Sequence, residues 1–201
     1  AGKTMTQLSD RNLITAYCRG ETSAFEAIVR RHGGAVLGYL TKMTHNKDHA
    51  EDLFQETFQK VHQHAVSFKG EDLRPWLLKI AANSAIGYRR KEHKHAAVSL
   101  AAPVGCPDGG HCATLESALP SAEPGPVEAL TLEEKRQAVR RALEHLPDQQ
   151  RAALILNYYH HLTYKQIAES LGCSVGAVRS HLFRALKRMA ATLPNPTGDV
   201  Q

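Results

Sequence analysis

Between Tyr164 and Leu193 five basic residues, Lys165, Arg179, Arg184, Lys187 and Arg188, stand against one acid, Glu169. The local signals around them specify two short helices. Thr163 can cap a helix over Tyr164 to Leu171, Gly172 and Cys173 make a turn, and Ser174 caps a longer helix running to about Ala191. Ala168 is small where the helices must cross, and Ile167, Leu171, Val178 and Leu182 are spaced to fill the core they share. This pattern is a helix-turn-helix, whose second helix enters the major groove and presents its N-terminal half to base edges. Arg179, Ser180, Phe183 and Arg184 are therefore the candidate readers, with Lys187 among the flanking cations suited to phosphates. An arginine can pair twice with guanine, and an exposed phenylalanine can touch a thymine methyl. Without DNA to read, the same pattern would be a helical hairpin with a solvated basic face.

A second basic surface lies earlier in the chain. Arg74, Lys79, Arg89, Arg90, Lys91 and Lys94 outnumber Asp72 and Glu92, and Asn83 sits among apolar neighbours on the same predicted helix. An amide suits the hydrogen-bonding edge of a base, and Phe68 or Trp76 offers a stacking face to unpaired bases. A tryptophan just after a helix-starting proline also reads as core, and Arg89-Arg90-Lys91 as a solvated helix end. The helix before it is acidic and amide-rich on its outer side, through Glu51, Asp52, Gln55 and Glu56. Such a face repels DNA and suits a protein partner.

Cys106, His111 and Cys112 lie close together, with His93 and His95 just upstream. Their spacing is not a standard zinc pattern and falls short of four clear ligands, so no metal site and no cofactor is assigned. A metal or redox sensor and an inert segment both remain open readings of that cluster. The sequence holds no Gly-rich phosphate loop, no nucleophile with an ordered base and no buried carboxylate pair, so nothing in it demands an enzyme.

The elements that must position these residues are helical throughout. Ser9 opens a first helix that Gly20 closes. A second begins near Ser23 and carries Phe25, Ile28, Val29, Val36, Leu37 and Leu40, with Gly33-Gly34 predicting a bend or a close approach. Asn46 or Asp48 starts a third, striped with Leu53, Phe54, Thr57, Phe58 and Val61, and Pro75 falls in the first turn of a fourth. The C-terminal part adds an amphipathic helix over Leu132 to Leu146 and another capped by Asp148.

The formal charge of the 201 residues is +5, but it is unevenly placed. Residues 96–130 contain no Lys or Arg, four acids, five of the nine prolines and four of the 14 glycines, so the remainder of the chain carries +9. That composition reads as a flexible linker. The expected architecture is all-α: a start outside the fold (1–5), a four-helix module (6–95), the linker (96–130), a helix-turn-helix module (131–193) and a disordered tail (194–201). The longest wholly apolar run is Ala152 to Leu156, far too short to insert in a membrane, and no signal-peptide core precedes it. The expectation is a cytoplasmic protein whose cysteines, Cys18, Cys106, Cys112 and Cys173, are reduced.

Four runs taken in order, His49–Phe58 (HAEDLFQETF), Pro75–Asn83 (PWLLKIAAN), Leu146–Arg151 (LPDQQR) and Leu162–Ala185 (LTYKQIAESLGCSVGAVRSHLFRA), resemble the extracytoplasmic-function sigma factors of bacterial RNA polymerase. The resemblance implies that the first module is sigma region 2, with Asp52, Gln55 and Glu56 on the face that binds the beta-prime clamp of core polymerase. It implies that the loop from Phe68 through Lys69 to Glu71, together with Asn83, Arg89 and Arg90, opens and holds the minus-10 element. The second module then resembles region 4, which contacts the beta flap and reads minus-35 duplex through Arg179, Ser180, Phe183, Arg184 and Lys187. A dedicated anti-sigma partner is the further implication, and the linker takes the place of the segment that enters the polymerase channels.

Three features depart from the family pattern. His181 stands where many relatives carry Arg or Lys, Ala177 replaces a frequent Thr, and the linker is long and rich in Pro and Gly. Two other readings stay in view: a conventional helix-turn-helix regulator whose N-terminal helices dimerise or sense a signal, and a thiol- or metal-dependent catalyst built on the His/Cys cluster.

Overall fold

In a computed structural model the described residues are 8–99 and 126–193, with side chains described over 8–92 and 133–193. They form α1 (Asp10–Cys18), α2 (Thr22–Thr44), α3 (Lys47–His64), a 3-10 turn (Ala65–Ser67), α4 (Leu73–Ser99), α5 (Pro126–Glu144), α6 (Asp148–Tyr158), α7 (Tyr164–Leu171) and α8 (Val175–Thr192), with no strand among them. No helix among the described residues is long and apolar enough to cross a membrane.

The polar ends explain where the helices start. The side chains of Ser9, Asn46, Thr163 and Ser174 each accept a hydrogen bond from the backbone N–H three residues on, the N-cap arrangement expected of these residue types. At Thr163 the cap is reciprocal, because the Gln166 side chain accepts from the Thr163 N–H at 2.9 Å. Gly172 ends α7 at φ +64°, a left-handed conformation that lets the chain turn straight into α8.

α2 runs unbroken through Gly33-Gly34, and of the two expectations for that pair the close approach holds: Gly33 lies beside the Phe54 ring, where a Cβ would stand 3.4 Å away. The helix starts at Thr22, next to Ser23 as expected. One expectation is corrected. Asp148 is the first residue of α6, not its cap; the cap position is Pro147, and the Asp148 carboxylate is engaged elsewhere. Helices also occupy part of the stretch read as linker, since α4 continues to Ser99 and α5 begins at Pro126.

The larger difference is that the two modules do not stand apart. Their buried apolar residues, from Leu13 and Ile28 through Leu77 and Leu78 to Ile155, Ile167 and Leu182, form one contiguous cluster. The helix between them is α4. Lys60 of α3 donates to Ser84 at 2.9 Å, which fixes one side of α4 against the N-terminal module. Arg74 of α4 donates to Nδ1 of His160 at 3.4 Å, and Arg89 of α4 pairs with Asp148, which fixes another side against the C-terminal module. At 3.6 residues per turn Leu78, Ala81 and Ala85 fall on the arc bounded by these contacts and Ala82 just beyond it, and all four are fully buried. Both α6 and α7 pack against α4.

Arg151 secures the junction. Its side chain, 1% exposed, donates to the carbonyls of Leu143 (2.8 Å), Glu144 (2.7 Å) and Leu146 (2.9 Å) at the end of α5 and to that of Met43 (2.9 Å) near the end of α2. Two helix C-termini, each carrying partial negative charge, thus converge on one guanidinium. Burial and the nearby Arg89 lower its pKa to about 10, which still leaves it charged at neutral pH.

Candidate nucleic-acid interface

On α8 the cations and polar groups singled out by sequence share one face. Arg179, Phe183, Lys187, Ser180 and Arg184 fall within an arc of roughly 140° at 3.6 residues per turn, and all five are exposed. Val178, Leu182 and Ala185 lie opposite and are buried against the rest of the module. The Ser174 hydroxyl accepts from the Ala177 N–H at 3.1 Å and so starts the helix where that face begins. Phe183 is 69% exposed, an unfavourable placement for an aromatic ring in water and a useful one against base methyl groups. His181 lies off this arc, half-buried, with Nδ1 enclosed and without a hydrogen-bond partner among the described residues. Cys173, in the turn, has its thiol pKa raised by burial.

A second face is built on α4 and the turn before it. Trp76, Lys79, Asn83 and Arg90 recur along the side of α4 away from both packing surfaces; Lys79, Asn83 and Arg90 are exposed. Phe68 packs on Trp76 with ring centroids 5.3 Å apart, so the two aromatics support one another at the N-terminal end of the stripe. Gly70 makes this possible, since a Cβ there would come within 3.0 Å of the Phe68 ring. Lys69 is exposed beside it. The expected residues do not all meet: Arg89 projects about 120° away from Asn83 and pairs with Asp148 of α6, both side chains largely covered at 14% and 20% exposure.

Where α4 begins, Asp10 holds it to the first helices. Its carboxylate accepts from the Leu73 N–H at 2.9 Å and pairs with Arg31 at 2.7 Å and His32 at 3.0 Å. Burial alone would raise its pKa, but these three donors outweigh it and hold the carboxyl below its usual value.

The third face lies on α3, where Asp52, Gln55 and Glu56 are exposed together within one arc. Glu56 pairs with Lys60 one turn on and accepts from Ser84 of α4 at 3.4 Å, so its carboxylate is positioned rather than loose. The His49 ring on the same helix is hydrogen-bonded to the Tyr88 hydroxyl at 2.7 Å.

Sequence reasoning missed the seam between the modules. Its polar members are Lys42, which lies over the Tyr159 ring at 4.7 Å, Tyr39 and His160 with centroids 5.9 Å apart, and His45, whose Nδ1 is 3.4 Å from Glu144. Burial, then the cations around them, pushes the pKa of both His45 and His160 down to about 4, so both are neutral at pH 7. Among the described residues no group of His, Cys, Asp and Glu could hold a metal ion, and Cys106, His111 and Cys112 lie outside them.

Comparison with known proteins gives these faces a context. A family model described as "Sigma-70 region 2" matches residues 28–95, and one described as "Sigma-70, region 4" matches residues 136–189. The RNA polymerase sigma-H factor of Pseudomonas aeruginosa is 31% identical over 184 residues, covering 90% of this chain and 92% of that protein. The ECF RNA polymerase sigma-E factor of Escherichia coli K12 is 33% identical over 181 residues, covering 89% and 91% respectively. Among solved structures the fold is similar to the sigma factor RpoE in complex with the anti-sigma factor NepR from Bartonella quintana, with TM-score 0.65 and 24% identity over 86% of this chain and 98% of that one. It is also similar to CnrH in complex with the cytosolic domain of CnrY, with TM-score 0.61 and 23% identity over 90% and 95%.

Proposed function

Because this chain belongs to the sigma-70 family of RNA polymerase sigma factors, we propose that it is an alternative sigma factor whose three exposed faces each take one task in promoter-specific initiation. Residues 6–95 act as region 2, 131–193 as region 4, and 96–130 as the connection between them. The five-residue face of α8 reads minus-35 duplex. Phe68, Lys69, Asn83 and Arg90, joined by Arg89 when it is released from Asp148, engage the minus-10 element as it melts. Extruding a base costs a few kcal/mol, which a pocket contacting its edge and face can repay. Asn83 supplies an edge contact and the paired Phe68 and Trp76 rings supply a stacking surface. Asp52, Gln55 and Glu56 form the acidic face for the beta-prime clamp, and region 4 docks on the beta flap.

The observation that carries this reading is the order and coverage of the two family regions, coupled to exposure of the reading residues on one side of α8. Catalysis belongs to the polymerase, so the chain works as a cytoplasmic initiation factor without a cofactor of its own. The solved structure described as a sigma factor in complex with the anti-sigma factor NepR supports control by a protein antagonist here too. A conventional helix-turn-helix regulator is not favoured, because its N-terminal half would have no reason to match region 2. Run-off transcription from a cognate promoter, with core polymerase and this protein alone, tests the proposal. A promoter-specific transcript is expected; initiation that still requires another sigma factor would overturn it.

A further inference from the structure

The turn that leads into α4 has little of its own to hold it in place. Its first residue, Phe68, is fixed through its N–H to the Ala65 carbonyl at 3.2 Å, but among the described residues no backbone-to-backbone hydrogen bond ties Lys69, Gly70 or Glu71 to the rest of the chain. Gly70 lies against the Phe68 ring, and that ring packs on Trp76 in the first turn of α4. The aromatic pair is thus only as well placed as the start of this helix.

That start is secured from another helix. The first four N–H groups of an α-helix have no partner within it. Asp72 accepts from the Arg74 N–H at 2.9 Å, a local cap, and Pro75 has no N–H to satisfy. The Leu73 N–H, on a fully buried residue, is taken at 2.9 Å by Oδ2 of Asp10, 63 residues earlier. Asp10 is the first residue of α1, and its carboxylate is itself held from α2: Arg31 reaches Oδ1 at 2.7 Å and His32 approaches Oδ2 at 3.0 Å. Its negative charge lies where the partial positive charge of α4 is concentrated. Arg11, the next residue of α1, pairs with Glu71 in the same turn, but both side chains are largely exposed and such a pair contributes little. Of the two neighbouring points at which α1 grips the turn, Asp10 is therefore the strong one.

Trp76 and Asn83 are seven residues apart on one side of α4, about two turns along the helix. A melted strand that stacks on the Phe68–Trp76 pair and hydrogen-bonds Asn83 needs both contacts in register. Fraying of the first turn displaces Trp76 and Phe68 and leaves Asn83 where it is. A surface already held in its bound geometry loses less conformational freedom when the ligand arrives.

We propose that Asp10 is a positioning residue for promoter opening: reaching from α1 to the Leu73 N–H, it keeps the Phe68–Asp72 turn and the first turn of α4 in the arrangement that the melted minus-10 strand requires. The consequence for transcription rests on the sigma-factor reading; the brace itself belongs to the free chain.

Trp76 is the one tryptophan of the sequence, so its fluorescence reports on the turn directly. The full chain is compared with Asp10→Ala, which removes the acceptor, and with Asp10→Asn, which keeps an acceptor oxygen for Leu73 but no charge for Arg31 and His32. In the free protein Asp10→Ala should shift Trp76 emission to the red and increase its quenching by acrylamide, with helix content by circular dichroism unchanged. In holoenzyme assembled with core polymerase, permanganate-reactive complexes on a cognate promoter should fall about tenfold per bound sigma, the factor by which one hydrogen bond to a charged acceptor shifts a turn between held and released states. A neutral acceptor is roughly half as strong, so Asp10→Asn should lose only about threefold. Binding to core polymerase, assigned to α3, should be unchanged in both.

A parent-like Trp76 spectrum in Asp10→Ala, or a shifted spectrum with parent-level opening, would overturn the positioning role. So would an asparagine variant as impaired as the alanine one, because the charge facing Arg31 and His32, and not the Leu73 contact, would then be what matters. Loss of helix content in both variants would overturn it as well, since Asp10 would then hold the whole module. If only the alanine variant loses helix content, Asp10→Asn decides: a partial loss of opening supports the brace, and parent-level opening sinks it. Should Trp76 respond as expected while no version, parent included, opens a promoter, the sigma-factor reading fails and the brace stands.

Discussion

Replacing Arg151 with methionine should destabilise both modules together. The substitution keeps most of the side-chain volume and removes every donor, leaving the carbonyls of Leu143, Glu144, Leu146 and Met43 without their shared partner. A hydrogen bond to a charged group contributes about 1.5–3 kcal/mol net, but part of that is recovered where Glu144 can reach water. Each buried carbonyl left without its donor costs about 1–3 kcal/mol, and with some relaxation and water access an overall loss of about 3–5 kcal/mol is expected here. Against a typical total of about 5–15 kcal/mol that is a large fraction. For a chain of this length each kcal/mol moves the melting midpoint by about 2–4 °C, so the predicted drop is roughly 6–20 °C. Thermal unfolding followed at 222 nm measures it, and Arg151→Lys, which keeps the charge but not the planar fork, should fall between parent and methionine variant. A methionine variant melting within about 2 °C of the parent would refute the idea that two helix ends depend on this guanidinium.

Three further outcomes are expected. Arg179→Ala and Arg184→Ala should each lose about 1–3 kcal/mol of discrimination between cognate and substituted minus-35 duplex in competition binding; equal loss on every sequence would mean phosphate contact alone. Asn83→Ala should leave core-polymerase binding intact while reducing permanganate reactivity of the melted minus-10 bases, and unchanged reactivity would remove Asn83 from that role. Stability should be full above pH 6.5 and fall as the pH drops toward 4, because His45 and His160 take up protons at about 6.5 when unfolded but only near 4 when buried beside cations. Each contributes a loss of at most about 1.4 kcal/mol per pH unit in that window, and a melting midpoint flat between pH 7 and 5 would contradict their burial as neutral groups.

What the sequence disclosed depended on how local each signal was. Thr163, Gly172 and Ser174 act within a turn of their own position, so the boundaries of α7 and α8 could be read directly, and with them the common face of Arg179, Ser180, Phe183, Arg184 and Lys187. Gly33-Gly34 left a bend and a close approach both open, and the choice between them depended on the Phe54 ring, which comes from far along the chain. Asp148 looked like a cap because its type and place before a helix are right; the competing attraction of Arg89 comes from another module. The seam left one trace, which is that α4 is apolar or small over half its circumference, from Leu73 and Leu77 round to Leu78 and Ala82, more than a single neighbour requires. Among the candidate DNA contacts, Arg89 was the residue whose surroundings periodicity could not supply, since its pairing depends on where α6 lies.

The position of α4 between the two modules also bears on how interchangeable they are. A region 4 grafted from a relative could keep its own helix-turn-helix and still meet the wrong side chains opposite Arg74, Ala85 and Arg89. Such a chimera would retain its exposed α8 face while losing the fit at α4, so its resting shape would change even where that face did not. Ala81, Ala82 and Ala85 are buried on a helix that packs against both modules, so a larger side chain there must find room in a core the two share. The parts of this protein that could be exchanged most freely are the exposed faces, and the least portable is the plain alanine surface between them.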